Sequence, residues 1–225
     1  MKPLTREQIA QRAARDIHEG EVVNVGIGLP TLVPLSIGED REVIFQSENG
    51  IVGMGGAPAP EEADGDLINA GKLFTTLRPG GSFMHHTDAF LMIRGGHIDV
   101  ALMGAFQVSV NGDLANWSAE RTDFAPGVGG AMDLASGARC VRILMEHVTR
   151  DGQARLVRQC TLPLTAPECV SRIYTTLAVM DVDRSLGALL VREMVPGLSL
   201  AELQAVTDAP LIASVDCTTL AVAEA

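Results

Sequence analysis

Glu21-Val22-Val23-Asn24-Val25-Gly26-Ile27-Gly28-Leu29-Pro30-Thr31 sets the architecture: a short apolar strand runs into alternating glycines, and a proline follows that can open a helix. Upstream, Thr5 and Gln8 have capping-box spacing, Ile9, Ala13 and Ile17 form one apolar stripe, and Gly20 stands where a C-cap glycine belongs. The spacing predicts a helix whose other face, with Arg6, Arg12, Arg15 and Glu19, is mostly solvated. Helix, strand, glycine turn and helix in succession is the unit of an α/β sheet. Glycines after a strand let a ligand approach the backbone, and the amides of the following helix favour anions. Gly26 and Gly28 are equally what a tight turn needs, and their spacing is not the dinucleotide fingerprint.

The next strand ends in a carboxylate. In Val43-Ile44-Phe45-Gln46-Ser47-Glu48-Asn49-Gly50-Ile51-Val52-Gly53, Val43 to Phe45 reads as buried strand and Asn49-Gly50 as a turn, because both residues tolerate positive φ. Glu48 sits among small polar residues with no charged neighbour nearer than Glu42. Such a residue is either a working group or a cap that pairs with an arginine, and the stretch alone leaves both open.

Gly53 to Pro60 reads as an irregular loop, and Pro79-Gly80-Gly81 as a turn. Ser82 to Gly96 has a helix start and a glycine stop. His85 and His86 within it invite a metal reading, but adjacent side chains on an extended segment point to opposite faces, so a polar role near a ligand or plain capping is expected. Ile98 to Met103 and Val141 to Met145 are further buried strands, Asn111-Gly112 is a turn, Trp117 is expected in the core, and Pro126 to Asp133 is a glycine cluster ahead of a short helix. Glycine-rich turns that recur after strands imply strand ends converging on one cleft. From Gln153 onward, Ala154 to Val157, Arg172 to Met180 and Ala188 to Met194 are strand-like and Asp183 to Gly187 is a turn. Ser199 and Glu202 give a second capping box before Leu203 to Val206, and Leu211 to Val215 is an edge strand. With no repeat or long linker, the chain reads as one α/β domain, residues 1–225: an open, largely parallel sheet with flanking helices and a β-rich C-terminal part.

At 225 residues and 47% hydrophobic content the chain buries a sizeable core. Its net charge of -11 argues against sequence-independent binding to nucleic acid or an anionic membrane. The four cysteines, Cys140, Cys160, Cys169 and Cys217, lack CxxC spacing, so neither zinc nor a disulfide framework is indicated and a reduced cytoplasm is expected. Met1 to Gln8 is polar and no apolar run approaches a membrane span, so a soluble protein is expected.

Val23 to Pro30, Gln46 to Gly50, Asp66 to Lys72, Met92 to His97, Gly112 to Trp117, Gly129 to Asp133 and Cys160 to Thr165 together resemble, in family order, the B (β) subunit of the 3-oxoacid coenzyme A transferases. Within that family Gly104 to Ser109, His85-His86 and Cys169 to Tyr174 are more similar to members acting on 3-oxoadipate than to those acting on acetoacetate. The resemblance implies a CoA-transferase or sugar-phosphate-isomerase-like fold, with Glu48 as the catalytic nucleophile that carries a glutamyl-CoA thioester in a ping-pong cycle. It also implies substrate and CoA binding through Asn24, Gly26, Gly28, Gln46, Asn49, Gly50, Gly129 and Gly130, with Gly129 the candidate oxyanion donor and Asn49 or Gln46 orienting Glu48. Neither metal nor cofactor is implied, since CoA and acyl-CoA are substrates. The resemblance further implies an A (α) subunit that completes the site, in an A2B2 assembly that moves CoA from succinyl-CoA to a 3-oxo acid. Lys72 and Arg94 are candidates for holding phosphates, and a cation near Glu48 is expected for a dianionic acceptor. Other readings are an acetoacetate-specific transferase, a sugar-phosphate isomerase or a ligand-binding effector module of the same fold. A glycosidase lacks a second acid in an apolar setting.

Overall fold

In the computed structural model, which describes residues 2–38, 40–119 and 127–221, helix α1 (Arg6–Ala14) opens on a formed capping box: the Gln8 amide donates to Thr5 Oγ1 at 3.2 Å and the Thr5 amide to Gln8 Oε1 at 3.0 Å. Ile9, Ala13 and Ile17 are buried. The helix stops before Gly20: Arg15 is its cap, and Gly20, with φ 77°, turns the chain towards strand β1 (Val22–Val25). Arg12 is also not solvated. It is 9% exposed, because Asp16 at 2.7 Å and Glu193 neutralise it.

Pro30 opens a single turn of 3-10 helix, Leu29–Leu32, followed by another at Pro34–Ser36. An α-helix cannot propagate here, since Pro34 has no N–H to donate to the carbonyl of Pro30; Val33 donates to it at 3.0 Å instead. Strand β2 (Ile44–Ser47) lies parallel to β1, and a tight turn leads into antiparallel β3 (Ile51–Met54). Only Gly50 of Asn49-Gly50 takes positive φ, 112°, and a Cβ there would lie 2.3 Å from the Met84 carbonyl oxygen. Pro79-Gly80-Gly81 lies inside strand β4 (Leu77–Phe83) and not in a turn. That strand is the sheet edge, where proline's missing N–H leaves no ladder bond unmade.

Helix α2 (His86–Arg94) crosses back and delivers β5 (Val100–Met103) to the other side of β1. The chain continues through β6 (Gln107–Ser109), β7 (Leu114–Ala115), α3 (Ala131–Gly137), β8 (Cys140–Met145), β9 (Leu156–Val157) and β10 (Val170–Thr175). It ends with β11 (Ala178–Asp183), β12 (Ala188–Met194), α4 (Leu200–Ala205) and β13 (Leu211–Thr219). The strand expected from Arg172 to Met180 is two strands. Thr175 Oγ1 accepts from the Leu177 and Ala178 amides at 3.2 and 3.0 Å and so builds a hairpin turn without glycine or proline. Pro126, at the head of the expected glycine cluster, lies outside the described residues.

Among the described residues the main sheet has ten strands in the order β13-β12-β11-β10-β8-β5-β1-β2-β3-β4, and β7-β6-β9 form a small second sheet. Strands β2, β1, β5, β8 and β10 are parallel to one another; antiparallel hairpins extend both flanks. This is the expected open, mostly parallel sheet with a β-rich C-terminal part. Its strand order reverses between β1 and β5, and ligand crevices form at such a switch, outside the carboxyl ends of the strands.

Candidate active site

The carboxyl ends of β1, β2, β5 and β8 run into Gly26, Glu48, Gly104 and Glu146, and these four residues line one cleft of about 600 Å³. The size is that of a small-molecule site. Glu48 follows β2 directly, so its position is set by the β1–β2 ladder and by the Gly50 turn. It is half-buried, and its carboxylate is hydrogen-bonded to no group among the described residues.

Burial pushes the Glu48 carboxyl above the ordinary glutamate range; His86 pulls it down and Asp133 pushes it up. Asp133 itself is held by Arg94 at 2.6 Å, which tempers its repulsion. Removal of water from a carboxylate also strengthens it as a nucleophile. His85 caps α2, its Nδ1 accepting from the Thr87 amide at 3.3 Å, while the His86 ring packs at a tilt of 42° against Phe90 with centroids 4.8 Å apart.

Gly129 and Gly130 line the cleft opposite. Gly130 sits so close to Glu48 that a Cβ would lie 2.7 Å from Glu48 Oε2 and 2.9 Å from Phe90 Cζ. Gly129 has φ 55°, which turns the chain into α3 with no side chain between backbone and cavity.

The other candidate positions lie around this centre. Asn24 and Gln46 are buried beneath it, Asn24 Nδ2 donating to Gln46 Oε1 at 2.6 Å, so they brace the ends of β1 and β2. Asn49 is exposed and donates to the Ile68 carbonyl at 2.7 Å, which tethers the 68–70 segment; the Ala70 amide donates to Ser47 Oγ at 2.9 Å. Neither Asn49 nor Gln46 is hydrogen-bonded to Glu48. Gly26 lines the cleft, and its amide donates to the Leu102 carbonyl at 2.8 Å. Gly28 precedes the first 3-10 turn, and Gly50 is covered by Met84. Lys72 is exposed two residues from the lining Ala70, and Arg94 is occupied by Asp133.

The lining also holds residues that the linear pattern does not single out: Arg6, Phe106, Asn116, Glu146, Arg150 and Arg155. A signal for Glu146 exists, since it follows a buried parallel strand as Glu48 does. Trp117, expected in the core, is instead half-buried, lines the cleft and donates from Nε1 to the Leu164 carbonyl at 3.1 Å.

Residues 6–205 match the family model for Coenzyme A transferase. The chain is 55% identical over 211 residues to the B subunit of 3-oxoadipate CoA-transferase from Pseudomonas putida, covering 94% of this chain and 98% of that protein. It is 45% identical over 204 residues to the B subunit of succinyl-CoA:3-ketoacid coenzyme A transferase from Helicobacter pylori, covering 91% and 97%. Among solved structures it resembles glutaconate coenzyme A-transferase of Acidaminococcus fermentans, with TM-score 0.71 and 17% identity over 98% of this chain and 90% of that one. It also resembles an Escherichia coli acyl-CoA transferase thioester complex, with TM-score 0.72 and 18% identity over 97% of this chain; it spans 43% of that longer chain. With matches of this extent, and a glutamate at a strand-end crevice, the chain belongs to the coenzyme A transferase family.

Proposed function

We propose that this chain is the B subunit of a CoA-transferase that moves CoA from succinyl-CoA to a 3-oxo acid, 3-oxoadipate in particular, and that Glu48 is its nucleophile. The observation that carries the reading is the Glu48 carboxylate: half-buried, without a hydrogen-bond partner among the described residues, and facing Gly130 at the switch-point cleft. The preference for 3-oxoadipate rests on the 55% identity to the Pseudomonas putida protein.

In this cycle a Glu48 carboxylate oxygen attacks the thioester carbon, the C–S bond breaks, and a mixed anhydride and CoA thiolate form. The thiolate attacks the Glu48 carbonyl carbon. Its C–O bond breaks, succinate leaves with that oxygen, and Glu48 becomes a thioester. The acceptor carboxylate then reverses both steps and restores an oxygen to Glu48. Each intermediate keeps the acyl group activated, so the cycle draws on no metal or cofactor. Backbone N–H groups at the Gly129 turn are the proposed donors to the tetrahedral oxyanions, because no side chain screens them from the cavity. A separate A (α) chain is proposed to close the cleft, with two copies of each subunit in the assembly.

The test is mass mapping of this chain, assembled with its α partner, after succinyl-CoA without acceptor. A CoA adduct on Glu48, absent from Glu48→Gln, is expected. An unmodified Glu48 in an assembly that binds CoA would overturn the reading and favour an effector-binding module.

A further inference from the structure

Among the described residues, the cleft that holds Glu48 carries three arginines, Arg6, Arg150 and Arg155, in a chain whose net charge is -11. None of the three forms an ion pair among the described residues, whereas Arg12, Arg94, Arg139, Arg172 and Arg192 all do. Arg155 Nε is buried without a hydrogen-bond partner. A guanidinium N–H withdrawn from water and left unpaired is costly, and the same side chain lines the cleft, where the rest of its donor fork can meet a ligand. Its backbone is fixed. The Arg155 carbonyl accepts from the Val108 amide of β6 at 3.0 Å, and a bridge pairs Val148 with Ala154 just ahead of it. Arg150 sits in the turn closed by the Thr149 amide donating to the Gln153 carbonyl at 2.9 Å. Among the described residues the one further lining carboxylate is Glu146, which is exposed and forms no ion pair with them.

We infer that Arg155, supported by Arg150 and Arg6, binds the second carboxylate of a dicarboxylic acyl group whose first carboxylate reacts at Glu48. This rests on the proposed transferase reading and adds the residues that select dianionic over monoanionic acids. A guanidinium fork offers two parallel N–H donors to one carboxylate, which a monoacid cannot engage. The same chemistry would also take a phosphate of CoA, so the test separates the two sources.

The assembled enzyme carrying the Glu48 thioester is discharged with succinate or with succinamate, its monoamide, in wild type, Arg155→Gln and Arg155→Lys. Wild type should prefer the dianion on the order of a hundredfold. Arg155→Gln should lose most of that ratio through slower discharge by succinate, and Arg155→Lys should keep part of it. An unchanged ratio in Arg155→Gln, or an equal loss with both acids together with weaker CoA binding, would overturn the inference; the second result would assign the arginines to a phosphate. Calorimetric binding of succinate against succinamate to the same assemblies reads the ratio without turnover. A missing thioester with intact dianion selectivity would therefore count against Glu48 alone.

Discussion

Gly130→Ala tests the site directly, because the new atom falls on the group proposed to react. An alanine Cβ would lie 2.7 Å from Glu48 Oε2 and 3.1 Å from Glu48 Cδ. Ordinary contact needs about 3.4 Å or more, so the carboxylate must retreat by about 0.7 Å and the Phe90 ring, 2.9 Å away at Cζ, by about 0.5 Å. The backbone itself accepts the change: Gly130 has φ -81° and ψ 3°, a negative-φ bridge conformation that alanine can adopt. The gain of about 0.4–1 kcal/mol from a stiffer unfolded chain opposes the side-chain strain, so stability should stay within about 1 kcal/mol of wild type. Catalysis should not. A displacement approaching 1 Å costs about a hundredfold, so formation of the Glu48 adduct should fall about 30- to 100-fold. The assay is single-turnover mass spectrometry with succinyl-CoA, beside a denaturant unfolding curve. Adduct formation within about threefold of wild type in a folded protein would refute the reasoning that Glu48 works from this position. Gly129→Ala is the contrast: its φ of 55° is strained for alanine but its Cβ meets open space. It should lose about 1 kcal/mol of stability and slow the adduct by less than about tenfold.

His147 is 1% exposed between Thr175 Oγ1 at 2.9 Å and Thr207 Oγ1 at 2.8 Å, and burial lowers its pKa to about 4 from 6.5. A lowered folded pKa gives stability that is present above the unfolded value and lost as pH falls through the folded one; about 3 kcal/mol should disappear between those two pH values, read as unfolding free energy against pH and absent from a His147→Gln variant. Glu48 is the opposite case. Its raised pKa means that ionisation at neutral pH costs the folded state, so Glu48→Gln should unfold at the same or a higher temperature while it forms no adduct, and a lower midpoint would contradict the burial argument. Arg12→Met leaves the half-buried Glu193 without its cation, while Asp16 keeps Arg172 at 2.7 Å, and should cost about 3 kcal/mol by denaturant titration, with no change of acceptor preference.

Whatever depends on neighbours along the chain was legible in the sequence. Both capping boxes formed, because their partners are three residues apart. The buried strands β5, β8 and β12 stand out as apolar runs, and Glu48 as a lone carboxylate at a strand end. Local pattern misleads where distant chain supplies the partner: the spacing leaves Arg12 solvated, yet Glu193 reaches it, and Pro79 has the marks of a turn, yet β4 is an edge strand that tolerates it. The composition of the cleft, by contrast, exists only in three dimensions. Trp117, Arg150 and Arg155 are far from Glu48 along the chain, and the reversal of strand order at β1 and β5 brings four of the strand ends to one crevice. A linear pattern encodes which face of a strand is buried, while the identity of what faces it is set by the order in which the sheet is wound.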